Sequence, residues 1–201
     1  MKELVIASNN LNKLQEIIYF LNPLGINVSP QSVFNITEAD EPYSTFIENA
    51  LAKARHASKG TGLPALADDS GICVNILDDK PGIFSARYAG EPKSDERNNC
   101  KLVEMLRNEL DRRAYYYCIM VLVRYAEDPR PIISEGVWHG EIILEPRGKG
   151  GFGYDPYFYL PEIGKTAAEL SMECKNKISH RSQALIRLVD CIKNDRSNGV
   201  G

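Results

Sequence analysis

Asp68 and Asp69 stand side by side in Ala67-Asp68-Asp69-Ser70-Gly71, at the end of an apolar run. Adjacent acids repel each other unless a cation or a hydrogen-bond network offsets the repulsion. Hard divalent cations such as Mg²⁺ favour such oxygen ligands and usually contact substrate phosphates as well. The same residue types also suit a solvated turn. The rest of the chain has to decide between an acidic turn and a metal-assisted centre.

Four other segments bear on that choice. Ser8-Asn9-Asn10-Leu11-Asn12-Lys13 lies between a strand's carboxyl end and a helix start, where unpaired backbone N–H groups and the helix dipole favour an anion. Lys13 adds a full charge suited to phosphate. Ser179-His180-Arg181 sets two potentially cationic side chains at another helix N-terminus, against the dipole, and an anion between them would resolve that conflict. Lys175, a few residues upstream, is a candidate for the same cluster. Gly148-Lys149-Gly150-Gly151-Phe152-Gly153-Tyr154-Asp155-Pro156 satisfies G-x-G-x-x-G in form only, because Pro156 and Tyr157-Phe158-Tyr159-Leu160 follow instead of a helix. Its better use is to let backbone approach a planar ligand while Phe152 stacks on it. Asp40-Glu41 precedes a helix bearing Glu48, Asn49 and Lys53, with Asn49 and Lys53 on one face.

Leu4 to Ala7 is a short strand, followed by a helix with Leu11, Leu14, Ile17, Ile18 and Leu21 at helical spacing, closed by Pro23 and Gly25. Thr45-Phe46-Ile47-Glu48 fits a capping box that opens a helix to about Lys59. Leu63 to Ala67 and Ile72 to Leu77 read as two apolar strands separated by a sharp turn at Gly71. Ser94 caps a third helix with Leu102, Val103, Leu106 and Leu110 on one face. Tyr115 to Tyr125 is a long strand, and Ile132 to Ser134 and Gly136 to Leu144 are further strands. A last helix buries Ala184, Leu185, Leu188, Val189 and Ile192, and the polar end from Asn194 to Gly201 is expected to fray. Together these elements predict an α/β protein with helices packed on a central sheet.

Composition narrows the function classes. At 201 residues, with 43% hydrophobic and 25% charged residues, the chain suits one soluble domain spanning residues 1–201. A net charge of −3 and the lack of a basic-aromatic strip argue against nucleic-acid binding. The amino-terminal stretch is too short and too soon polar for a signal peptide. The most apolar run, Cys118 to Val123, falls far below a membrane span. Five scattered cysteines without a C-x-x-C pair fit neither a disulfide framework nor a zinc site, which points to the cytoplasm.

Taken in order, Ser8-Asn9-Asn10-x-x-Lys13, Thr45-Phe46-x-Glu48-Asn49-Ala50, Ala67-Asp68-Asp69-Ser70-Gly71, Ser85-Ala86-Arg87-Tyr88, Gly151-Phe152-Gly153-Tyr154-Asp155 and Ser179-His180-Arg181 resemble the inosine/xanthosine triphosphate pyrophosphatases over nearly the whole chain. The resemblance implies a central mixed twisted sheet with flanking helices, in two lobes with an active-site cleft between them. It implies a Mg²⁺-dependent, cytoplasmic homodimer that cleaves noncanonical purine nucleoside triphosphates (ITP, dITP, XTP) between the α and β phosphates. Residues 8–13 would hold the triphosphate, with Lys53 a further phosphate contact. Asp69 is implied as the base that activates water and as a metal ligand, with Asp68 in support and Glu41 as second ligand. Ser70 would contact substrate, Phe152, Gly153, Tyr154 and Asp155 would enclose the base, and Lys175, His180 and Arg181 would complete the clamp. Guanine shares the 6-oxo group, so its exclusion must act at the 2-position.

Two departures from the family pattern stand out. Ser8-Asn9-Asn10 replaces a common Thr-Gly-Asn, and Asp40-Glu41 replaces a common pair of glutamates, leaving open which acid meets the metal. A pyrophosphatase for another damaged nucleotide and a sensor that binds without cleaving are the competing readings. The paired aspartates weigh against a pure sensor, which gains little from a hard-cation site.

Overall fold

The computed structural model describes residues 1–198. Strand β1 (Glu3–Ile6) leads through Asn10, whose side chain accepts from the N–H groups of Asn12 and Lys13, into helix α1 (Leu11–Leu21). Strand β2 (Asn27–Pro30) pairs parallel with β1, and helix α2 (Phe46–Thr61) is capped by Thr45. Strands β3 (Ala65–Val74) and β4 (Lys80–Pro81) pair antiparallel. Ser94 caps α3 (Asp95–Leu106), after which come β5 (Arg113–Val123), β6 (Ile132–Ile142), β7 (Phe158–Leu160) and β8 (Lys165–Thr166). Helices α4 (Met172–Ile178) and α5 (His180–Asn198) end the described chain.

The strands form a mixed sheet in the order β2-β1-β3-β5-β6-β7-β8, with β4 on β3. The chain divides into two compact units. One comprises Met1–Asp69, Cys118–Gly136 and the chain from Arg181; the other comprises Ser70–Tyr117 and Val137–His180. The first has a core of Leu4, Ile6, Leu14, Ile17, Leu21, Leu66, Met120, Leu122, Leu185 and Leu188. The second is built on Ile72, Val74, Leu102, Leu106, Tyr116, Trp138, Tyr154 and Phe158.

The expected α/β sheet with flanking helices is therefore present, with four local corrections. No turn occurs at Gly71, because β3 runs unbroken from Ala65 to Val74 and carries both aspartates within a strand buried along nearly its whole length. Turn-type residues were outweighed there by tertiary burial. The strands anticipated at Ile132–Ser134 and Gly136–Leu144 are one, β6. Helix α3 stops at Leu106, so Leu110 is 98% exposed, and Leu11 and Ile18 of α1 also face outward. The fraying anticipated from Asn194 is replaced by helix through Asn198; the remainder of that expectation lies outside the described residues. Ala184, Leu185, Leu188 and Ile192 of α5 are buried as the spacing required, with Val189 packed against them.

Gly71 is fixed by close approach. A Cβ there would lie 2.2 Å from the Gly82 carbonyl oxygen and 2.6 Å from Ser85 Oγ. That hydroxyl also accepts from Ile72 N at 2.9 Å and donates to Gly82 O at 2.6 Å. Gly71→Ala should therefore lower stability by roughly 1–3 kcal/mol, read as a shift of the urea midpoint. An unchanged midpoint would show that the segment at 82–85 gives way at no cost.

Candidate active site

The first unit gathers a buried ionic network around β3. Asp68 is 2% exposed, with Lys13 Nζ 2.9 Å and Arg181 Nη2 3.3 Å from its Oδ2. Arg181, equally buried, reaches Glu16 through Nη1 at 3.0 Å. Burial by itself would raise the Asp68 pKa, but the charges of Lys13 and Arg181 outweigh it and hold the carboxyl well below the usual range. Two protein carboxylates, Asp68 and Glu16, thus stand beside the cation at the start of α5.

Asp69 faces a different partner. Its Oδ1 lies 2.9 Å from Lys53 Nζ, which also sits 2.7 Å from Glu41 Oε1. Burial, reinforced by the like charge of Glu41, pushes the Asp69 carboxyl up against the pull of Lys53. Burial opposes the charge on Lys53, but Asp69, Asp68 and Glu41 together raise its pKa. Asp69 Oδ2 is buried and has no hydrogen-bond partner among the described residues. Glu41 is the acid that reaches the network; Asp40 is exposed.

The segment before α1 is an exposed arch. Ser8 Oγ accepts from Asn10 N at 3.2 Å, and Asn9 Nδ2 donates to Glu38 Oε1 at 3.3 Å. Leu11 and Asn12 are exposed at the first turn of the helix, and Lys13 turns in to Asp68. Asn9 does not use the left-handed backbone that its replacement of a glycine would permit.

The second unit holds the glycine-rich loop. Asp155 Oδ2 accepts from Lys175 Nζ at 2.7 Å and from Phe152 N at 3.0 Å, and its Oδ1 accepts from Tyr116 Oη at 3.3 Å. The Lys175 ammonium lies 5.6 Å from the Phe152 ring centroid. Gly151 and Gly153 both have positive φ, and a Cβ on Gly151 would strike the Asp155 carboxylate. Tyr154 is buried and donates to Ser85 O at 2.7 Å. Gly153 N donates to Asp95 Oδ2 at 2.7 Å, and Gly153 O accepts from Asn99 Nδ2 at 2.9 Å. His180 is buried in a stack on Tyr116, with centroids 4.6 Å apart and planes 8° from parallel. Ser70 sits half-buried in β3.

Sequence reasoning missed Glu16, Tyr116, Asp95 and Asn99. Glu16 lies one helical turn from Lys13, yet nothing local links it to Arg181, which is 165 positions away.

The chain belongs to the Ham1 family, whose profile matches residues 4–191. It is 66% identical to a dITP/XTP pyrophosphatase of Nitrosomonas europaea over 197 residues, covering 98% of this chain and 97% of that protein. It is 60% identical to a dITP/XTP pyrophosphatase of Aromatoleum aromaticum, covering 92% and 94%. The solved structure of a HAM1 protein from Coxiella burnetii superposes with a TM-score of 0.91 at 49% identity, covering 96% of this chain and all of that one.

Removing the Asp68 charge would leave Arg181 and Lys13 underpaired in a buried setting. Asp68→Asn should cost roughly 3–5 kcal/mol at neutral pH, measured by urea denaturation. The lowered pKa adds a pH signature. The stability contributed by this carboxylate is present above its unfolded pKa, near 4, and is lost as pH falls toward the folded value. The wild type should therefore weaken on acidification below about pH 4–5 more steeply than the variant; parallel curves would refute the assignment.

Proposed function

We propose that this chain is a nucleoside triphosphate pyrophosphatase that hydrolyses ITP, dITP and XTP to the nucleoside monophosphate and pyrophosphate, clearing them from the nucleotide pool. One observation carries the reading: in a chain so close to dITP/XTP pyrophosphatases, Asp69 offers a buried carboxylate oxygen that no protein group uses, among the described residues. Asp69 accepts the proton of the attacking water. The water oxygen bonds to phosphorus as the bond to the bridging oxygen of the α–β anhydride breaks, and pyrophosphate leaves with the electron pair.

Mg²⁺ fits the donors present. Glu41 and Asp69 are hard oxygen ligands that already share one cation, the Lys53 ammonium. Among the described residues no group of three His, Cys, Asp or Glu side chains assembles. Two carboxylates completed by waters and phosphate oxygens are the usual provision for this ion. When bound, Mg²⁺ would neutralise charge on the phosphates and acidify water. Lys53 and Lys13 would then supply positive charge for the phosphates. Residues 8–12 present the arch and the α1 N-terminus to the triphosphate.

Phe152 stacks on the purine, with Gly153, Tyr154, Asp155, Lys175 and His180 around it and Ser70 in contact with substrate. Arg181 holds Asp68 and completes the clamp from that position. Hypoxanthine and xanthine offer a 6-oxo acceptor where adenine has an amino donor, so a backbone N–H aimed there is left unpaired by adenine. The homodimer and a cytoplasmic location belong to the same proposal, resting on the family resemblance. No helix of the described residues is long and apolar enough to cross a membrane.

The test is hydrolysis of ITP, XTP, dITP, ATP and GTP with Mg²⁺, with pyrophosphate detected directly. The first three should be preferred in kcat/KM and turnover should vanish in EDTA; orthophosphate as first product, or equal rates on all five, would overturn the reading. Asp69→Asn should cut kcat by about 10²-fold or more while Lys53 keeps Glu41 and the thermal midpoint stays close to wild type. Activity within a few-fold would give the base role to another group. Phe152→Ala should raise KM chiefly, and an unchanged KM would exclude stacking.

A further inference from the structure

We propose that Asn49 and His56 are positioning residues that hold the segment carrying Glu41 in place for the divalent cation. The inference deepens the reading of Glu41 and Asp69 as Mg²⁺ ligands and rests on it. Residues 36–43 belong to no helix or strand, so no helical or strand ladder places Glu41. Side chains of α2 take over that task.

Ala50, Ala54 and Ala57 of α2 are fully buried at helical spacing, and the helix packs on β1. One residue back from each, about 100° round the helix, stand Asn49, Lys53 and His56. They meet the segment in reverse order. Asn49 Oδ1 accepts from Tyr43 N at 3.1 Å, and its Nδ2 donates to Tyr43 O at 3.3 Å. Lys53 Nζ donates to Glu41 Oε1 at 2.7 Å, and His56 Nε2 donates to Thr37 O at 3.0 Å. One turn further on, a Cβ at Gly60 would lie 2.5 Å from Ile36 Cδ1. The segment therefore runs antiparallel along one ridge of the helix, and Glu41 sits between two grips on its backbone.

Asparagine is a poor helix residue, and its amide is costly to bury without partners. Asn49 is 1% exposed, and both ends of its amide go to one residue. That is the pattern a neighbouring strand would offer to Tyr43. Lys53 could not fix the segment alone, because an ammonium on a flexible four-carbon stem follows a carboxylate that moves. With Thr37 and Tyr43 tied, the Glu41 carboxylate stays with Asp69 on the shared ammonium. Two hard ligands held together in advance leave less chain to order when the cation binds.

The experiment titrates the whole protein with Mn²⁺, a hard cation like Mg²⁺, and reads free Mn²⁺ by electron paramagnetic resonance. Wild type is compared with Asn49→Ala, His56→Ala, His56→Gln and Glu41→Gln. Asn49→Ala should raise the Mn²⁺ dissociation constant by about tenfold or more, and His56→Ala by about threefold or more. His56→Gln keeps an N–H donor for Thr37 O and should stay within about twofold of wild type. In ITP hydrolysis, both alanine variants should need correspondingly more Mg²⁺ for half the maximal rate, with kcat at saturating Mg²⁺ near wild type. A purely structural role would instead lower the active fraction and kcat and leave the Mn²⁺ constant unchanged. His56 is exposed, so its pair of variants tests the idea even if Asn49→Ala does not fold. Unchanged Mn²⁺ binding in His56→Ala, or no recovery in His56→Gln, would overturn the inference. A wild type that binds no Mn²⁺, or Glu41→Gln binding as well as wild type, would instead bring down the metal reading on which it rests.

Discussion

Two neighbouring carboxylates inside a buried strand are an unfavourable arrangement, and much of the first unit offsets it. Each aspartate loses water, and the desolvation cost is recovered only where a cation stands close enough to favour the charged form. Lys13 from α1 and Arg181 from α5 serve Asp68; Lys53 from α2 serves Asp69. Three helices are thereby tied to one strand by charge as well as by apolar packing. Glu16 takes up the rest of the Arg181 guanidinium. The cations divide unevenly, which is why one carboxyl is driven down and the other up.

The second unit uses a milder version of the same device. Asp155 is buried, holds the Lys175 ammonium and at the same time terminates the Phe152 N–H. A single carboxylate there both places a cation beside an aromatic ring and shapes the glycine-rich loop. Tyr116 links it to the aromatic stack of Trp138, Phe158 and His180. The loop takes its shape from these neighbours together with its own glycines, Gly151 and Gly153, both at positive φ.

What could be read beforehand was what local chemistry decides. Asn10, Thr45 and Ser94 cap their helices because a short polar side chain meets free N–H groups within three residues. The stripe of α5 is a matter of period alone. The residues of the Asp-Asp-Ser-Gly segment favour turns in isolation, whereas burial on both faces carries the strand straight through them. β2 escaped notice because four residues ending in proline leave no alternation to see. At the site, the acids and cations were visible by type, but their pairing was not. The union of Arg181 with Asp68 and Glu16, and that of Asp95 and Asn99 with Gly153, join residues tens to more than a hundred positions apart. Only the folded chain supplies that information.

The unbroken course of β3 has a further meaning. Consecutive side chains of a strand point to opposite faces, so the two aspartates are separated by geometry even though they are joined by one peptide bond. The separation is one of contact and not of charge, because Lys53 also feels Asp68 and Asp69 also feels Lys13. What the gene cannot tolerate in this stretch is a change of length. Pairing of Val5 with Ala65 and Ile6 with Leu66 fixes the frame of the strand, and one inserted or deleted codon before Asp68 would exchange the two faces wholesale.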